Sequence, residues 1–298
     1  MLNLATSSIA PILGQHVPLR GPARLLYRSY AKTSCRRSES ERRLTTKSGD
    51  QFNVSLSSFL EWQLWAFGSY EGHLAEMFEY LIRPADRCID VGANIGIHTI
   101  RLAKLVGPSG NIIAIEPDQE LVRRNNGNLR INGLENVRLI QAAASDIGGE
   151  GASLYRPGPQ DSNKGRASLL PHTYLTGSMA TVPTVRLDDV IDGPVALIKI
   201  DVEGHEAAVV SGGVGTIEKY SPAIIFEYAP ELLTDKSSSP FWWLRERGYE
   251  LFGVCNARHD VTGRGNLGLI SLPTLPANGA DILAISAHAV GMVSSLVR

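Results

Sequence analysis

The sequence predicts an α/β fold with a mostly parallel sheet and helices on both faces. Two observations support this prediction. Short apolar segments alternate with helical segments from about residue 87 onwards, and several of the apolar segments end at an acidic residue. Alternation of this kind favours parallel strands joined by crossover helices. The composition, 43% hydrophobic and 20% charged, is that of an ordinary globular protein.

The predicted strands are short apolar runs that end at turn-forming or acidic residues. They cover about 87–91, 111–115, 137–142, 195–200, 223–226, 249–254 and 281–286. The predicted helices between them cover about 95–106, 117–132, 205–220 and 240–247, with Gly or Pro at several of their ends. Residues 148–183 interrupt this rhythm with many Gly, Pro and Ser residues, and we interpret them as an inserted substrate-side element. Residues 256–280 are interpreted as a loop.

The N-terminal part of the chain differs in charge from the rest. Residues 1–50 hold nine Lys or Arg residues against three acidic residues. We interpret residues 1–57 as a basic, partly disordered extension, for which weak contact with a membrane surface is an alternative. Residues 58–298 form the predicted main domain, and its first part, 58–84, is expected to be a helical cap.

Composition and local patterns disfavour several classes of protein. The net charge of -1 gives no reason to expect a nucleic-acid partner. The three cysteines are far apart in the sequence, which disfavours a disulfide framework or a cysteine-based zinc site. No apolar run approaches the length of a membrane span, and the N-terminus lacks a secretory pattern, so a cytoplasmic protein is expected.

A glycine-containing turn follows the first predicted strand of the main domain. Its pattern is Asp90-x-Gly92-x-Asn94-x-Gly96. A dinucleotide fingerprint would need glycine at positions 94 and 97, and the phosphate-binding P-loop pattern is also missing. An acidic residue beside a glycine turn suits a ligand with an ammonium group and no phosphates, and S-adenosylmethionine is a ligand of this kind.

Two further polar points follow the next two predicted strands. Glu116 ends one of them and could bind ribose hydroxyls, and Ser145 and Asp146 follow the other, where an adenine amino group could lie. Ligands of open α/β sheets bind at the carboxyl ends of the strands. Three polar points at that edge therefore predict an adenosine site.

These residues resemble the FkbM family of S-adenosylmethionine-dependent methyltransferases. The resemblance covers roughly residues 68–228, and the motifs that carry it are Asp90-Val91-Gly92-Ala93-Asn94-Ile95-Gly96 with Thr99, Ile115-Glu116-Pro117, Asn132-Gly133-Leu134-Glu135-Asn136, Ala143-Ala144-Ser145-Asp146 and Lys199-Ile200-Asp201-Val202-Glu203-Gly204. It implies a class I methyltransferase fold, which is a Rossmann-like sheet of seven strands with one antiparallel strand. It also implies S-adenosylmethionine as cofactor, with Ala93 and Thr99 among the cofactor-binding residues, and usually methylation of a hydroxyl.

Acidic residues also follow two later strands. Asp201, Glu203 and His205 come directly after one predicted strand, and Glu227 ends the neighbouring one. We expect these four residues to surround the acceptor hydroxyl, with Asp201 or His205 as general base. Asp201, Glu203 and Glu227 could instead bind Mg²⁺, which prefers oxygen ligands. Lys199 could pair with the acidic residues of the site.

The acceptor that these predictions favour is a small molecule, a sugar or a lipid-linked glycan. An NAD(P)-type oxidoreductase on a similar sheet and a non-catalytic cofactor-binding module are the alternatives. The failed glycine spacing counts against the first alternative, and the retained carboxylates count against the second.

Overall fold

A computed structural model describes residues 41–158, 161, 165–173, 175–233, 239–256 and 267–298. The strands in chain order are β1 Glu41–Thr45, β2 Gln51–Ser55, β3 Arg87–Val91, β4 Asn111–Ile115, β5 Val137–Ile140, β6 Ala143–Ala144, β7 Gly149–Tyr155, β8 Met179–Val185, β9 Leu197–Ile200, β10 Ala223–Tyr228, β11 Tyr249–Asn256, β12 Leu267–Ser271 and β13 Ala280–Ser286. The helices are α1 Phe59–Phe67, α2 Gly72–Leu81, α3 Ile97–Val106, α4 Gln119–Ile131, α5 Leu187–Val190, α6 Glu206–Ser211, α7 Val214–Tyr220 and α8 Phe241–Glu246. Two short 3₁₀ turns follow β13.

The main sheet has eight strands in the order β12-β11-β13-β10-β9-β3-β4-β5. The neighbours from β10 to β5 are parallel, and β13 runs antiparallel between β10 and β11. Seven of these strands confirm the expected class I methyltransferase fold, with its single antiparallel strand. The eighth strand, β12, lies within the segment that sequence analysis interpreted as a loop.

Strand β12 forms because two leucines in a short segment face the core. Leu267 and Leu269 are buried, and the strand pairs antiparallel with β11. Its glycine and its short length hid the alternation from sequence analysis, since period-two patterns need several residues to stand out.

The parallel strands are apolar along their whole length because helices or loops cover both faces of the sheet. Strand β4 shows this best, since its last four residues, Ile112–Ile115, are all buried. One apolar cluster on the sheet includes Ile89, Ile198 and Phe226, and the other includes Cys88 and Leu197. Neighbouring residues of a strand thus lie on opposite faces of the sheet. Because both faces are covered, the ends of the strands are left as the place where a ligand can bind.

The N-terminal boundary of the folded domain lies earlier than the predicted residue 58. Residues 41–55 form the antiparallel hairpin β1–β2, in which Phe52 and Val54 are buried against helix α1 and the rest of the domain. Two asparagines hold the hairpin, Asn128 in α4 and Asn132 directly after its last residue. Oδ1 of Asn132 accepts the N–H of Gln51, and Oδ1 of Asn128 accepts that of Asn53, both at 2.9 Å. The predicted extension 1–57 is therefore wrong for residues 41–57, and residues 1–40 lie outside the described part of the chain.

The predicted helix 205–220 is two helices, α6 and α7, separated by Gly212 and Gly213. A Cβ atom at Gly212 would lie 2.0 Å from the carbonyl oxygen of Ser145. The backbone therefore passes Ser145 at a distance that only glycine allows, and the helix is interrupted there.

The inserted element forms a separate small sheet in the order β6-β8-β7. The hairpin within it pairs β7 with β8, and Tyr155 also forms a single bridge with Ser168. In the residues that the structure describes, no helix is both long and apolar enough to cross a bilayer.

Candidate active site

A cavity of about 240 Å³ opens at the carboxyl ends of β3, β4, β9 and β10. The helical cap α1–α2 contributes Leu60, Tyr70 and Glu71 to its lining, and the inserted element contributes Leu154 and residues 165–169. The cavity therefore lies where ligands of open α/β sheets bind, at the strand ends, and it is enclosed from two further sides.

The turn after β3 passes directly against the end of β9. Gly92 has φ +77°, and a Cβ atom there would lie 1.8 Å from the carbonyl oxygen of Asp201. The N–H groups of Gly92 and Ala93 both donate to the carbonyl oxygen of Ile115. The glycine is thus required by the neighbouring strand, and it brings the turn and Asp201 to the same wall of the cavity.

Glu116 fixes the turn from the end of β4. Its Oε2 accepts the N–H of Asn94 and its Oε1 accepts the N–H of Asp118, each at 2.9 Å. The carboxylate is buried, and burial raises the pKa of Glu116 to about 7 despite these two donors. Asn94 itself has a left-handed backbone, with φ 50°. Glu116 and Asn94 both line the cavity.

Asp90 and Thr99 lie behind the turn and do not line the cavity. Asp90 is fully buried, and its Oδ2 accepts the hydroxyl of Thr99 at 2.5 Å. Its Oδ1 lies 3.8 Å from Nζ of Lys199. Gly96 is also outside the lining and packs against the side chain of Asn125. These residues therefore support the turn instead of facing a ligand.

The fully buried Asn128 supports the same turn from α4. Its Nδ2 donates to the carbonyl oxygen of Ile95 at 2.9 Å, while its Oδ1 accepts the N–H of Asn53 in β2. One amide thus connects the cofactor turn to the N-terminal hairpin.

Ser145, Asp146 and His205 form a hydrogen-bonded chain at the border of the cavity. Oγ of Ser145 lies 3.0 Å from both Oδ1 of Asp146 and Nε2 of His205. Of the three, only His205 lines the cavity, and burial lowers its pKa. The ring is thereby kept neutral at ordinary pH, with one nitrogen engaged by Ser145.

Three carboxylates lie side by side on three neighbouring strand ends. Glu227 of β10 stands opposite Asp281 of β13, and Asp201 follows the last residue of β9 in the same register. All three line the cavity. Burial, reinforced by the charges of Asp201 and Asp281, raises the pKa of Glu227 to about 9. Glu227 therefore holds a proton at neutral pH when no charged ligand is bound in the cavity.

Basic side chains pair with two carboxylates of the cavity, Asp201 and Glu203. Nζ of the buried Lys199 lies 3.1 Å from Oδ2 of Asp201. Burial alone would lower the pKa of Lys199, but the carboxylates of Asp201 and Asp90 raise it, so the ammonium stays charged. Glu203 pairs with Arg166 of the inserted element at 3.2 Å.

The predicted Mg²⁺ site at Asp201, Glu203 and Glu227 is not formed. Within the described ranges, no group of three or more His, Cys, Asp or Glu side chains is arranged to hold a metal ion. The reason is local: Asp201 is turned to Lys199 and Glu203 to Arg166, so two of the three carboxylates already pair with a cation. Ligation would require all three as free carboxylates.

Sequence analysis missed the polar residues that the cap brings to the cavity. Tyr70 and Glu71 precede α2, and His98 of α3 meets Oε2 of Glu71 at 2.9 Å. His73 of α2 meets Oδ2 of Asp281 at 2.8 Å. Aromatic residues dominate the sequence pattern of the cap, and such residues more often pack in a core than bind a ligand. The run of polar residues at 70–73 before a helical segment was the available signal.

The strand order, with one antiparallel strand between parallel neighbours, defines a class I methyltransferase fold. The family model described as "Methyltransferase FkbM domain" matches residues 90–251, more than half of the chain. The chain belongs to the FkbM methyltransferase family, as the resemblance implied.

Individual relatives are more distant. The chain is 28% identical over 122 residues to protein-L-isoaspartate O-methyltransferase of Ignicoccus hospitalis, a match covering 41% of this chain and 50% of that protein. It is 38% identical over 68 residues to protein-L-isoaspartate O-methyltransferase 2 of Archaeoglobus fulgidus, covering 22% and 31%. The chain thus spans half or less of these curated relatives. The crystal structure of an FkbM methyltransferase from Methylobacillus flagellatus aligns with 14% identity and a TM-score of 0.43, covering 88% of this chain and 60% of that one.

The family implies S-adenosylmethionine, and the cavity fits this cofactor chemically. Glu116 offers a buried carboxylate for hydroxyl groups, and Gly92 and Ala93 keep the turn free of bulky side chains. Ala143, Ala144 and Leu154 provide an apolar surface for a flat base. The ionised carboxylate of Glu71 and the nearby charge of Lys199 suit an amino acid moiety, which carries one charge of each sign.

Proposed function

We propose that this chain transfers a methyl group from S-adenosylmethionine to a hydroxyl of a small molecule, a sugar or a lipid-linked acceptor. The observation that carries the proposal is the position of Asp201. It lies in the cavity beside the cofactor turn, with its side chain 36% exposed and held by the buried Lys199. A carboxylate in this position can act as the base that an alcohol acceptor needs.

The cofactor side of the cavity would be formed by Gly92, Ala93, Asn94 and Glu116. Asp90, Gly96 and Thr99 would act from behind the turn by holding its shape. Ser145 and Asp146 would act through His205, which reaches the cavity while they do not. When bound, S-adenosylmethionine supplies a methyl group activated by its positively charged sulfur.

Asp201 would accept the proton of the acceptor hydroxyl. The methyl group that the cofactor would supply would then pass to this oxygen, and the electron pair of the cleaved carbon–sulfur bond would stay on sulfur as a neutral thioether. The proton remains on Asp201 until water removes it. Lys199 keeps the carboxylate in position, and such positioning is a large part of catalysis in displacements of this kind.

Glu227 would have a different role from Asp201. Because its pKa is raised to about 9, it is protonated at neutral pH and can donate a hydrogen bond to an oxygen of the acceptor. His205 is a weaker candidate for the base than sequence analysis suggested, since Ser145 engages its Nε2. Glu203, paired with Arg166, would contribute to the shape of the acceptor side.

Two measurements test the proposal. S-adenosylhomocysteine, and not NAD, should raise the melting temperature of the protein. Transfer of labelled methyl groups should then be followed over a panel of acceptors that offer hydroxyl, amine or carbon nucleophiles. Stabilisation by NAD alone, or transfer only to carbon or nitrogen acceptors, would contradict the proposal.

The role of Asp201 is tested with Asp201→Asn, which preserves the shape of the side chain. We expect turnover to fall by at least about 100-fold while S-adenosylhomocysteine still binds, as is typical for loss of a general base. Asp192→Asn is the matched control, because Asp192 lies on the surface with its side chain 85% exposed. Near-normal turnover of Asp201→Asn would exclude Asp201 as the base.

A further inference from the structure

The backbone around the cavity carries a concentration of unusual conformations. Among the described residues, five that are not glycine have positive φ, and three of them, Glu71, Asn94 and Glu203, line the cavity. Such conformations cost of order 1–3 kcal/mol each and tend to persist at functional sites. Glu71, with φ 45°, is the one that the cap provides.

The turn after β3 leaves the cofactor's ammonium group without its expected partner. Asp90 was the sequence-based candidate, but it is fully buried behind the turn and is engaged by Thr99. Glu116 lies at the end of the neighbouring strand and already accepts two backbone N–H groups. A buried ammonium group needs a carboxylate, since its desolvation is otherwise costly.

We propose that Glu71 binds the ammonium group of the cofactor's methionyl moiety. This inference rests on the proposed function, and it assigns to the cap a direct part in cofactor binding. Glu71 lines the same cavity as Gly92 and Asn94, and its side chain is 26% exposed, so that its carboxylate is accessible from within.

The surroundings of Glu71 keep it ionised. Burial alone would raise the pKa of Glu71, but the contact with His98 and the charge of Lys199 lower it to about 2. An ionised carboxylate has no proton to give, so Nε2 of His98 must be the donor in their 2.9 Å hydrogen bond. The cofactor's own carboxylate would find positive or donating groups in the same corner, at His98 and Lys199.

Asp201 is the other carboxylate that could take this role, and its contacts argue against it. Lys199 lies 3.1 Å from it, so an incoming ammonium group would meet a second cation there. Asp201 also stands in register with Glu227, to which the proposed function gives a role on the acceptor side of the cavity.

The test compares two ligands that differ in the amino acid moiety. S-adenosylhomocysteine contains the ammonium group, whereas 5′-methylthioadenosine keeps the adenosine and the sulfur but lacks it. Dissociation constants for both are measured by calorimetry on the wild-type protein and on Glu71→Gln. We expect Glu71→Gln to weaken S-adenosylhomocysteine by about 10- to 100-fold, the range for hydrogen bonds to charged groups, and to leave 5′-methylthioadenosine within about twofold.

Glu79→Gln is the matched control, because Glu79 lies on helix α2, which Glu71 immediately precedes, and pairs with Arg101 at the surface. Glu71→Asp, which keeps the charge, should retain part of the affinity for S-adenosylhomocysteine. Unchanged affinity in Glu71→Gln would overturn the inference, as would an equal loss for both ligands, which would mean that Glu71 only holds the cap in place. If the wild-type protein bound neither ligand, the proposed function itself would fail, together with this inference.

Discussion

Glu227 and Asp281 face each other directly across the antiparallel pair of β10 and β13, with both side chains in the cavity. Like charges in directly opposed positions destabilise a sheet. The structure limits this cost in two ways. His73 meets the carboxylate of Asp281, and Glu227 keeps a proton because its pKa is raised to about 9.

The first prediction concerns the pH dependence of stability. Glu227 titrates near 4.5 in the unfolded chain and near 9 in the folded one, so the folded state binds more protons between these values. Its contribution to the free energy of unfolding is therefore largest below pH 4.5 and is lost as the pH rises towards 9. Glu227→Gln should become more stable relative to wild type between pH 5 and pH 9. Urea unfolding at both pH values measures this, and a constant difference would contradict the raised pKa.

The second prediction concerns the contact between the cofactor turn and β9. Gly92→Ala places a methyl group 1.8 Å from the carbonyl oxygen of Asp201 and should lower the free energy of unfolding by roughly 2–4 kcal/mol, because overpacking and backbone strain act together. Gly133→Ala is the control, since Gly133 also has a positive φ but has open space around it. Equal losses in urea unfolding would show that only the backbone conformation matters.

The third prediction concerns cofactor affinity near neutral pH. Burial raises the pKa of Glu116 to about 7, and only the ionised form accepts hydrogen bonds from hydroxyl groups on both oxygens. The affinity for S-adenosylhomocysteine should therefore increase from pH 6 to pH 8. Calorimetry on Glu116→Gln should give a lower affinity with a weaker dependence on pH. A dependence equal to that of wild type would assign the titration to another group.

The fourth prediction concerns the buried ammonium group. Lys199→Met leaves Asp90 and Asp201 without their cation and should lower the free energy of unfolding by about 3–5 kcal/mol, the usual cost of breaking a buried pair. In the Asp90→Asn background the same substitution should cost less, because one of the unpaired charges is gone. Additive losses in thermal or urea unfolding would mean that Lys199 and Asp90 do not interact.

The predicted residues that line the cavity are those that depend on local pattern. Gly92, Asn94 and Glu116 sit in a turn and at a strand end, and apolar runs with a glycine or acid after them are visible in the sequence. Lys199 stood out because it interrupts an apolar run, and its predicted pairing with site acids agrees with its contacts to Asp201 and Asp90.

The remaining features depend on packing between distant segments. Sequence alone could not show that Asp90 turns inward to Thr99, since a side chain near the end of a strand can point either into the protein or towards the cavity. Glu71 reaches the cavity only because α2 packs against α3, and the strand β12 exists only because β11 offers it a partner. The predicted metal site lacks support for a partly similar reason, because Arg166 comes from a distant segment and pairs with Glu203, while Lys199 of the same motif pairs with Asp201.

The single amide of Asn128 has a consequence for the dynamics of the chain. Because it holds the N–H of Asn53 and the carbonyl oxygen of Ile95 at once, loosening of either segment releases a hydrogen-bond partner of the other. Amide hydrogen exchange in the hairpin 41–55 should then slow when a ligand orders the turn, although the hairpin contributes no residue to the cavity lining. A variant that begins at residue 58 would lack the hairpin and its hydrogen bond to Asn128. The turn after β3 should therefore be less rigid in that variant.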